Sequence, residues 1–229
     1  MPLHTISLRR SIFSYAKVQP IVGSLIRNRA FQLRRERVRR LAHLDIGCGP
    51  NLHDQLINLD YLWRPGVDVC WNITRGIPFA DRSLQGVFSE HCFEHFSLPG
   101  ALRLLREVRR ILAPGGTIRI IVPDGELYLL TYASQVAGDS SRKFPFEQTE
   151  KTHELWTPMM SVNRLFYQDR ESMSGHWTIF DFALLSTALR SSGFTRIERC
   201  KFQQGRDATL LIDTPKREVE SLYVEASVD

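Results

Sequence analysis

From residue 41 onward, short apolar runs, each closed by a glycine or an acid, alternate with stretches of helical period, and few folds other than a parallel sheet wound with helices accept that alternation. LAHLDI (41–46) runs into Gly47-Cys48-Gly49-Pro50, LINL (56–59) stops at Asp60, and LQGVFS (84–89) stops at Glu90. TIRIIV (117–122) is closed by Pro123-Asp124-Gly125. Ser97-Leu98-Pro99 opens a helix with Ala101, Leu104, Leu105, Val108, Ile111 and Leu112 on one face, and Ala113-Pro114-Gly115-Gly116 stops it. Asp181 caps another, with Leu184, Leu185, Ala188 and Leu189 inward and Gly193 at its end. FTRIERCKF (194–202) and ESLYVEASV (220–228) follow as strands that can pair antiparallel, while about 126–175 is polar, carries aromatics and shows no clear period. The expected class is α/β, with a doubly wound, mostly parallel sheet.

At 229 residues and 43% hydrophobic content the chain can bury one full-sized core. It has no apolar run near the ~20 residues that cross a bilayer. The four cysteines, Cys48, Cys70, Cys92 and Cys200, form no CxxC, which argues against a zinc ribbon or a disulfide scaffold and fits a reducing, cytoplasmic setting. The net charge of +5 is local: residues 1–40 hold ten Lys/Arg against one acid, and 41–229 hold more acids than bases. Two units are therefore expected, a basic helical extension (1–40) and a domain (41–229) with an insert or lid at about 125–175. In the extension Val22, Leu25, Ile26, Phe31 and Leu33 form an imperfect stripe, and Arg34, Arg35, Arg37, Arg39 and Arg40 crowd its end. It reads as a solvated lead-in helix, as a peripheral contact with an anionic membrane or nucleic acid, or as an organelle transit segment. The acidic balance of 41–229 speaks against a broad nucleic-acid surface.

In open α/β sheets ligands sit beyond the carboxyl ends of the strands, so the turn after the first strand is the place for chemistry. Gly47 and Gly49 permit close ligand approach, and Asp45 can face a cationic group. The dinucleotide fingerprint GxGxxG is incomplete: position 52 is Leu, and Pro50 leads quickly to the next strand, which disfavours NAD. Asp60, at the end of the second strand, can accept from both hydroxyls of a ribose. Asn72 can bond an adenine edge while Ile73 packs on its face.

LDIGCGP, INLD, GVDVCWNITRGIPFADRSLQGVFSEHCFEHF and LREVRRILAPGGTIRIIVPD, with the later GHWTIFDFALLSTALRSSGF and ESLYVEA, resemble the class I S-adenosylmethionine-dependent methyltransferases. The likeness covers roughly 41–228 and is to their type-11-like bacterial branch, often associated with polysaccharide and cell-envelope biosynthesis. The resemblance implies a Rossmann-like, seven-stranded sheet with an antiparallel final hairpin and S-adenosyl-L-methionine along the strand ends. Asp45, Gly47, Cys48, Gly49 and Pro50 would hold its methionine part, Asp60 its ribose, and Asn72 and Ile73 its adenine. Ser89 and Glu90 would border the sulfonium. The chain departs from the family pattern at Asn72, where Asp is common, and at Gln85, where an acid is common.

Methyl transfer from a sulfonium is an in-line displacement that depends mainly on alignment, and a hydroxyl acceptor also needs a proton recipient. His91, just beyond the fourth strand, is the first candidate, and it reads equally as structural. His176 and Asp124 come next, each able to bind substrate or to cap a helix. His91 and His95 are spaced like a helical metal pair, but Cys92 replaces the Glu of HExxH and no third ligand suggests itself, so no metal is expected. Glu94 and His95 are read as pinning the start of the following helix. His153, Trp156 and Tyr167 are aromatic candidates for stacking on a sugar, or lid core. The expected activity is methylation of a hydroxyl, or an amine, of a glycan or small molecule. The alternatives are an RNA methyltransferase using the basic segment and a non-catalytic cofactor-binding protein.

Overall fold

The computed structural model describes residues 15–152, 154, 156–166 and 175–229. His153, Tyr167 and the first fourteen residues lie outside the described residues. In chain order the elements are α1 (Tyr15–Ile26), α2 (Glu36–Arg40), β1 (His43–Ile46), β2 (Ile57–Asp60), β3 (Val69–Cys70), β4 (Leu84–Glu90) and α3 (Leu98–Ile111). There follow β5 (Leu112–Pro123), α4 (Gly125–Val136), α5 (Glu147–Glu150), α6 (Pro158–Asn163), α7 (Phe182–Ser191), β6 (Thr195–Cys200) and β7 (Ser221–Ser227). No described helix is long and apolar enough to cross a membrane.

The strands form one sheet in the order β3-β2-β1-β4-β5-β7-β6. β1 to β5 pair in parallel, and β7 runs antiparallel to both β5 and β6. The chain winds outward from β1 to β3 and then crosses back to β4, which places the switch point at the carboxyl ends of β1 and β4.

Side-chain alternation gives the sheet two unlike faces. One carries Leu44, Ile46, Ile57, Leu59, Val87, Ile118, Ile120, Val122, Leu222 and Val224, packed under Val38 of α2 and the apolar faces of α3 and α7. Full burial of each side chain such as Leu105 or Ile111 contributes about 1.5–3 kcal/mol. Ser97 and Asp181 cap α3 and α7 as the sequence leads one to expect, accepting from the N–H groups of Gly100 and Leu184. The other face presents Asp45, Asn58, Arg119 and Glu225, all buried, among Phe88, Ile121 and Tyr223. Among the described residues it is covered by the connector between β6 and β7, through Phe202, Leu210 and Ile212, rather than by a helix. The run 47–56 between β1 and β2, where a covering helix would normally form, contains none.

Three local features depart from the sequence reading. β3 is two residues long, too short to show a period. Within 126–175, α4 forms behind an Asp124 cap; its Tyr128 is buried while Leu129 and Leu130 stand exposed, so no amphipathic stripe marks it. β5 starts directly at Leu112: Leu84 pairs with Leu112 and Gly86 with Thr117, so residues 113–116 loop out of the ladder.

The segment before β1 is built into the sheet edge. The Cys70 N–H donates to Gln32 Oε1 at 2.7 Å, and the Cys70 carbonyl accepts from Asn28 N–H, which pairs the free side of β3. Arg37 forks onto Asp68 and also donates to the carbonyls of His53, Asp54 and Leu56, while Arg35 reaches Asp68 O. Arg34, Arg39 and Arg40 remain exposed.

Candidate functional site

The first turn is set by backbone that favours glycine: φ is +77° at Gly47 and +55° at Gly49. The N–H groups of Gly47 and Cys48 both donate to Leu59 O, which folds the turn back on β2. A Cβ on Gly47 would lie 2.7 Å from Cys92 Sγ, whereas the nearest atom to one on Gly49 would be 3.9 Å away. Gly47 therefore serves close packing, and Gly49, with Pro50 exposed after it, opens on free space. Asp60 joins the two loops: one carboxylate oxygen accepts from Gly49 N–H at 2.8 Å, the other from Leu62 N–H at 2.6 Å.

Asp45, at the end of β1, is buried, and among the described residues no hydrogen bond reaches its carboxylate. Burial, then the negative charges of Glu90 and Asp60, hold its carboxyl well above the usual range. Three acids from three strand ends thus converge, and they suit a group carrying positive charge, as the sulfonium and ammonium of S-adenosylmethionine do. The residues present fit that cofactor. Burial and the nearby acids likewise push the Cys48 thiol far up and keep it protonated, so it offers packing rather than a nucleophile.

The raised carboxyl of Asp45 makes a pH prediction. A folded-state value above the unfolded value, ~3.9 for Asp, means that the folded chain gives up this proton at a higher pH than the unfolded chain does. Stability present below that point is lost as pH rises through the folded value. In urea unfolding at a series of pH values, the parent should lose ground to Asp45→Asn with increasing pH. A parent-to-variant difference that is flat with pH would refute the assignment.

The other expected contacts divide. Ser89 is buried and its hydroxyl donates to Ile46 O, so it ties β4 to β1. The Glu90 carboxylate accepts the N–H and the hydroxyl of Thr214, which brings the connector to the end of β4. Asn72 Oδ1 caps the turn Ile73–Arg75 by accepting from Thr74. Ile73 lines a cleft of about 730 Å³ together with His95, Phe96, Gly100, Leu104 and Trp177. That cleft has the size of a cofactor pocket, though the glycine turn lies outside its lining. Arg75, Arg103 and Arg106 also line it, and Trp177, 77% exposed, is its exposed aromatic. Trp156 packs with Tyr128, Phe144, Val162 and Leu165 in a separate small core.

Among the catalytic candidates, Asp124 is engaged twice, capping α4 through Leu127 N–H and pairing with Arg199 at 2.7 Å. His91 sits at φ +49°, a strained conformation for a non-glycine residue. Its Nε2 meets Ser221 Oγ at 3.0 Å and its Nδ1 lies 3.4 Å from Glu94 Oε1. His176, from the segment before α7, faces the same carboxylate with Nε2 at 4.0 Å, and burial pushes its imidazole down. Glu94 does not pin α3, which Ser97 caps. Its backbone carbonyl accepts from Trp177 and Thr178, and its side chain is buried among the histidines. Glu94, His95 and His176, the last about eighty positions downstream, thus face one another in one cluster.

Residues 58–120 match a family described as a methyltransferase domain. No curated protein matches the chain. Among solved structures, the chain is similar to a Thermotoga maritima protein described as a SAM-dependent methyltransferase and possible histamine N-methyltransferase (15% identity, TM-score 0.46, 82% of each chain covered). It is similar also to a SAM-dependent methyltransferase of Methanosarcina mazei (14% identity, TM-score 0.49, covering 81% of this chain and 91% of that one). A third is the Burkholderia thailandensis 1,6-didemethyltoxoflavin-N1-methyltransferase with bound 1,6-didemethyltoxoflavin and S-adenosylhomocysteine (15% identity, TM-score 0.47, 94% and 80%). Residues 58–120, from β2 into β5, thus match a methyltransferase domain, and the strand order and the glycine turn at the switch point accord with that match.

Proposed function

We propose that the chain transfers a methyl group to a hydroxyl, or an amine, of a glycan or small-molecule acceptor. The observation that carries the reading is the convergence of Asp45, Asp60 and Glu90 at the strand ends beside the open side of Gly49. When bound, S-adenosylmethionine supplies an electrophilic methyl on a cationic sulfur. The chain's own residues position and desolvate: Asp60 for the ribose, Asp45 for the ammonium, Asn72 and Ile73 for the base. An exposed indole with arginines around the cleft suits a sugar ring bearing an anionic group.

For a hydroxyl acceptor we assign the proton to His91. Its Nε2 lies 3.0 Å from Ser221 Oγ, and its Nδ1 stands 3.4 Å from the Glu94 carboxylate, whose charge favours the protonated ring. Isothermal calorimetry with S-adenosylmethionine, followed by turnover against a panel of sugars and sugar phosphates, tests the reading. Cofactor binding with turnover that is lost in His91→Gln supports it. Absent cofactor binding removes the function, and turnover retained in the variant removes the base assignment.

For the amino-terminal segment we propose peripheral contact with an anionic membrane. Ile21 and Leu25 of α1 are 63% and 66% exposed, with Arg29 and Arg34 exposed nearby. Arg35 and Arg37 are engaged on the domain, which weakens the reading of this segment as an RNA-tracking cluster.

A further inference from the structure

We propose that Glu94, His95 and His176 form a site for one divalent transition-metal ion of the zinc class, clasping the segment after the lid to the end of β4. The proposal stands apart from the cofactor reading.

A carboxylate oxygen and one ring nitrogen from each histidine lie within 4.8 Å of one another. A tetrahedral site with ligands at ~2.0–2.1 Å needs ligand atoms ~3.3 Å apart, so closing the cluster takes movements of about an ångström in side chains already facing each other. Two imidazoles and one carboxylate are borderline ligands that suit zinc, and they leave a coordination position open.

Proton accounting singles out these groups. His176 Nδ1 donates to Leu165 O at 2.7 Å, which leaves its Nε2 as a bare lone pair. His95 Nδ1 likewise faces Gly175 O, at 3.3 Å. Metal-binding histidines are oriented in this way, with the second nitrogen donating to a carbonyl. Both Glu94 oxygens, His176 Nε2 and His91 Nδ1 are buried and, among the described residues, have no hydrogen-bond partner. An anion 1% exposed beside inward-facing lone pairs is costly unless a cation lies between them. His91 fits as the neighbour that orients the carboxylate, its own Nε2 held by Ser221.

The two halves of the cluster come from chain segments about eighty residues apart, already joined by the N–H groups of Trp177 and Thr178 on Glu94 O. A metal there would couple closure of that segment to the carboxyl edge of the sheet, where the cofactor acids gather.

The test uses the full chain, stripped with chelator and titrated with Co²⁺, which reports tetrahedral nitrogen and oxygen ligation by its visible absorption. The expected result is about one ion per chain, the visible band, displacement by Zn²⁺ and a thermal midpoint raised by several degrees over the stripped protein. Glu94→Gln and His176→Gln should each lose the band, with folding checked by circular dichroism. With the unmodified chain, no band and no rise in midpoint with excess Co²⁺ or Zn²⁺ would overturn the proposal. A band unchanged in a folded Glu94→Gln variant would overturn it equally.

Discussion

Replacing Arg119 by Met should destabilise the protein by about 3–5 kcal/mol, the range for removing one partner of a buried ion pair, and lower the thermal midpoint by about 10 °C. Arg119 lies mid-strand in β5 on the polar face of the sheet and is fully buried. Its Nε and Nη2 fork onto Asp213, Nη1 reaches Glu225 at 2.9 Å, and the remaining donors meet the carbonyls of Gln204 and Lys201. All five guanidinium donors are satisfied. The variant would strand two carboxylates inside the protein, each further fixed by a backbone N–H, from Gln203 and Arg206. Stranded carboxylates titrate upward in the folded state, so the deficit should shrink as pH falls and both become protonated. Adding Asp213→Asn and Glu225→Gln should recover much of the loss. Urea unfolding at pH 5 and pH 8 measures both effects, and a cost below about 1 kcal/mol, or one that grows on acidification, would show that the connector is held otherwise. The consequence reaches the site, because the same connector delivers Thr214 to Glu90.

That ion pair also shows what could be read before the structure. The strand ends at Asp45, Asp60 and Glu90 were legible because an apolar run stopped by an acid or a glycine is a local signal, and caps such as Ser97 and Asp181 act over three residues. Arg119 sits inside a correctly read strand, but its partners lie 94 and 106 positions away on the connector and on β7. Nothing local announces that one face of the sheet is polar and covered by loop. The same holds for Glu94 and His176, which meet although about eighty positions separate them. α4 was hidden for another reason: with Leu129 and Leu130 outward and Tyr128 and Thr131 inward, apolar residues occupy both sides and the helical period disappears. A Cβ at Gly47 would meet Cys92, whereas one at Gly49 would meet open space. Spacing alone cannot distinguish the two.

Asp60→Ala should weaken binding of S-adenosylmethionine and S-adenosylhomocysteine alike, by about 100-fold or more. Each hydrogen bond to a charged group is worth about 1.5–3 kcal/mol, and the variant would lose those offered to both hydroxyls of the ribose that the two molecules share. The carboxylate is already oriented, one oxygen on Gly49 N–H and the other on Leu62 N–H, which leaves further lone pairs for a ligand. Glu90→Gln provides the contrast: a negative charge near a sulfonium favours the charged cofactor over its neutral-sulfur product, so that variant should cost S-adenosylmethionine more than S-adenosylhomocysteine. Calorimetry with both ligands on parent and both variants separates the two acids by the ratio of losses rather than by either loss alone. Should Asp60→Ala, still folded, bind S-adenosylhomocysteine within about fivefold of the parent, a gap of about 1 kcal/mol, the nucleoside does not rest on this strand end. The convergence of acids would then need another cation to explain it.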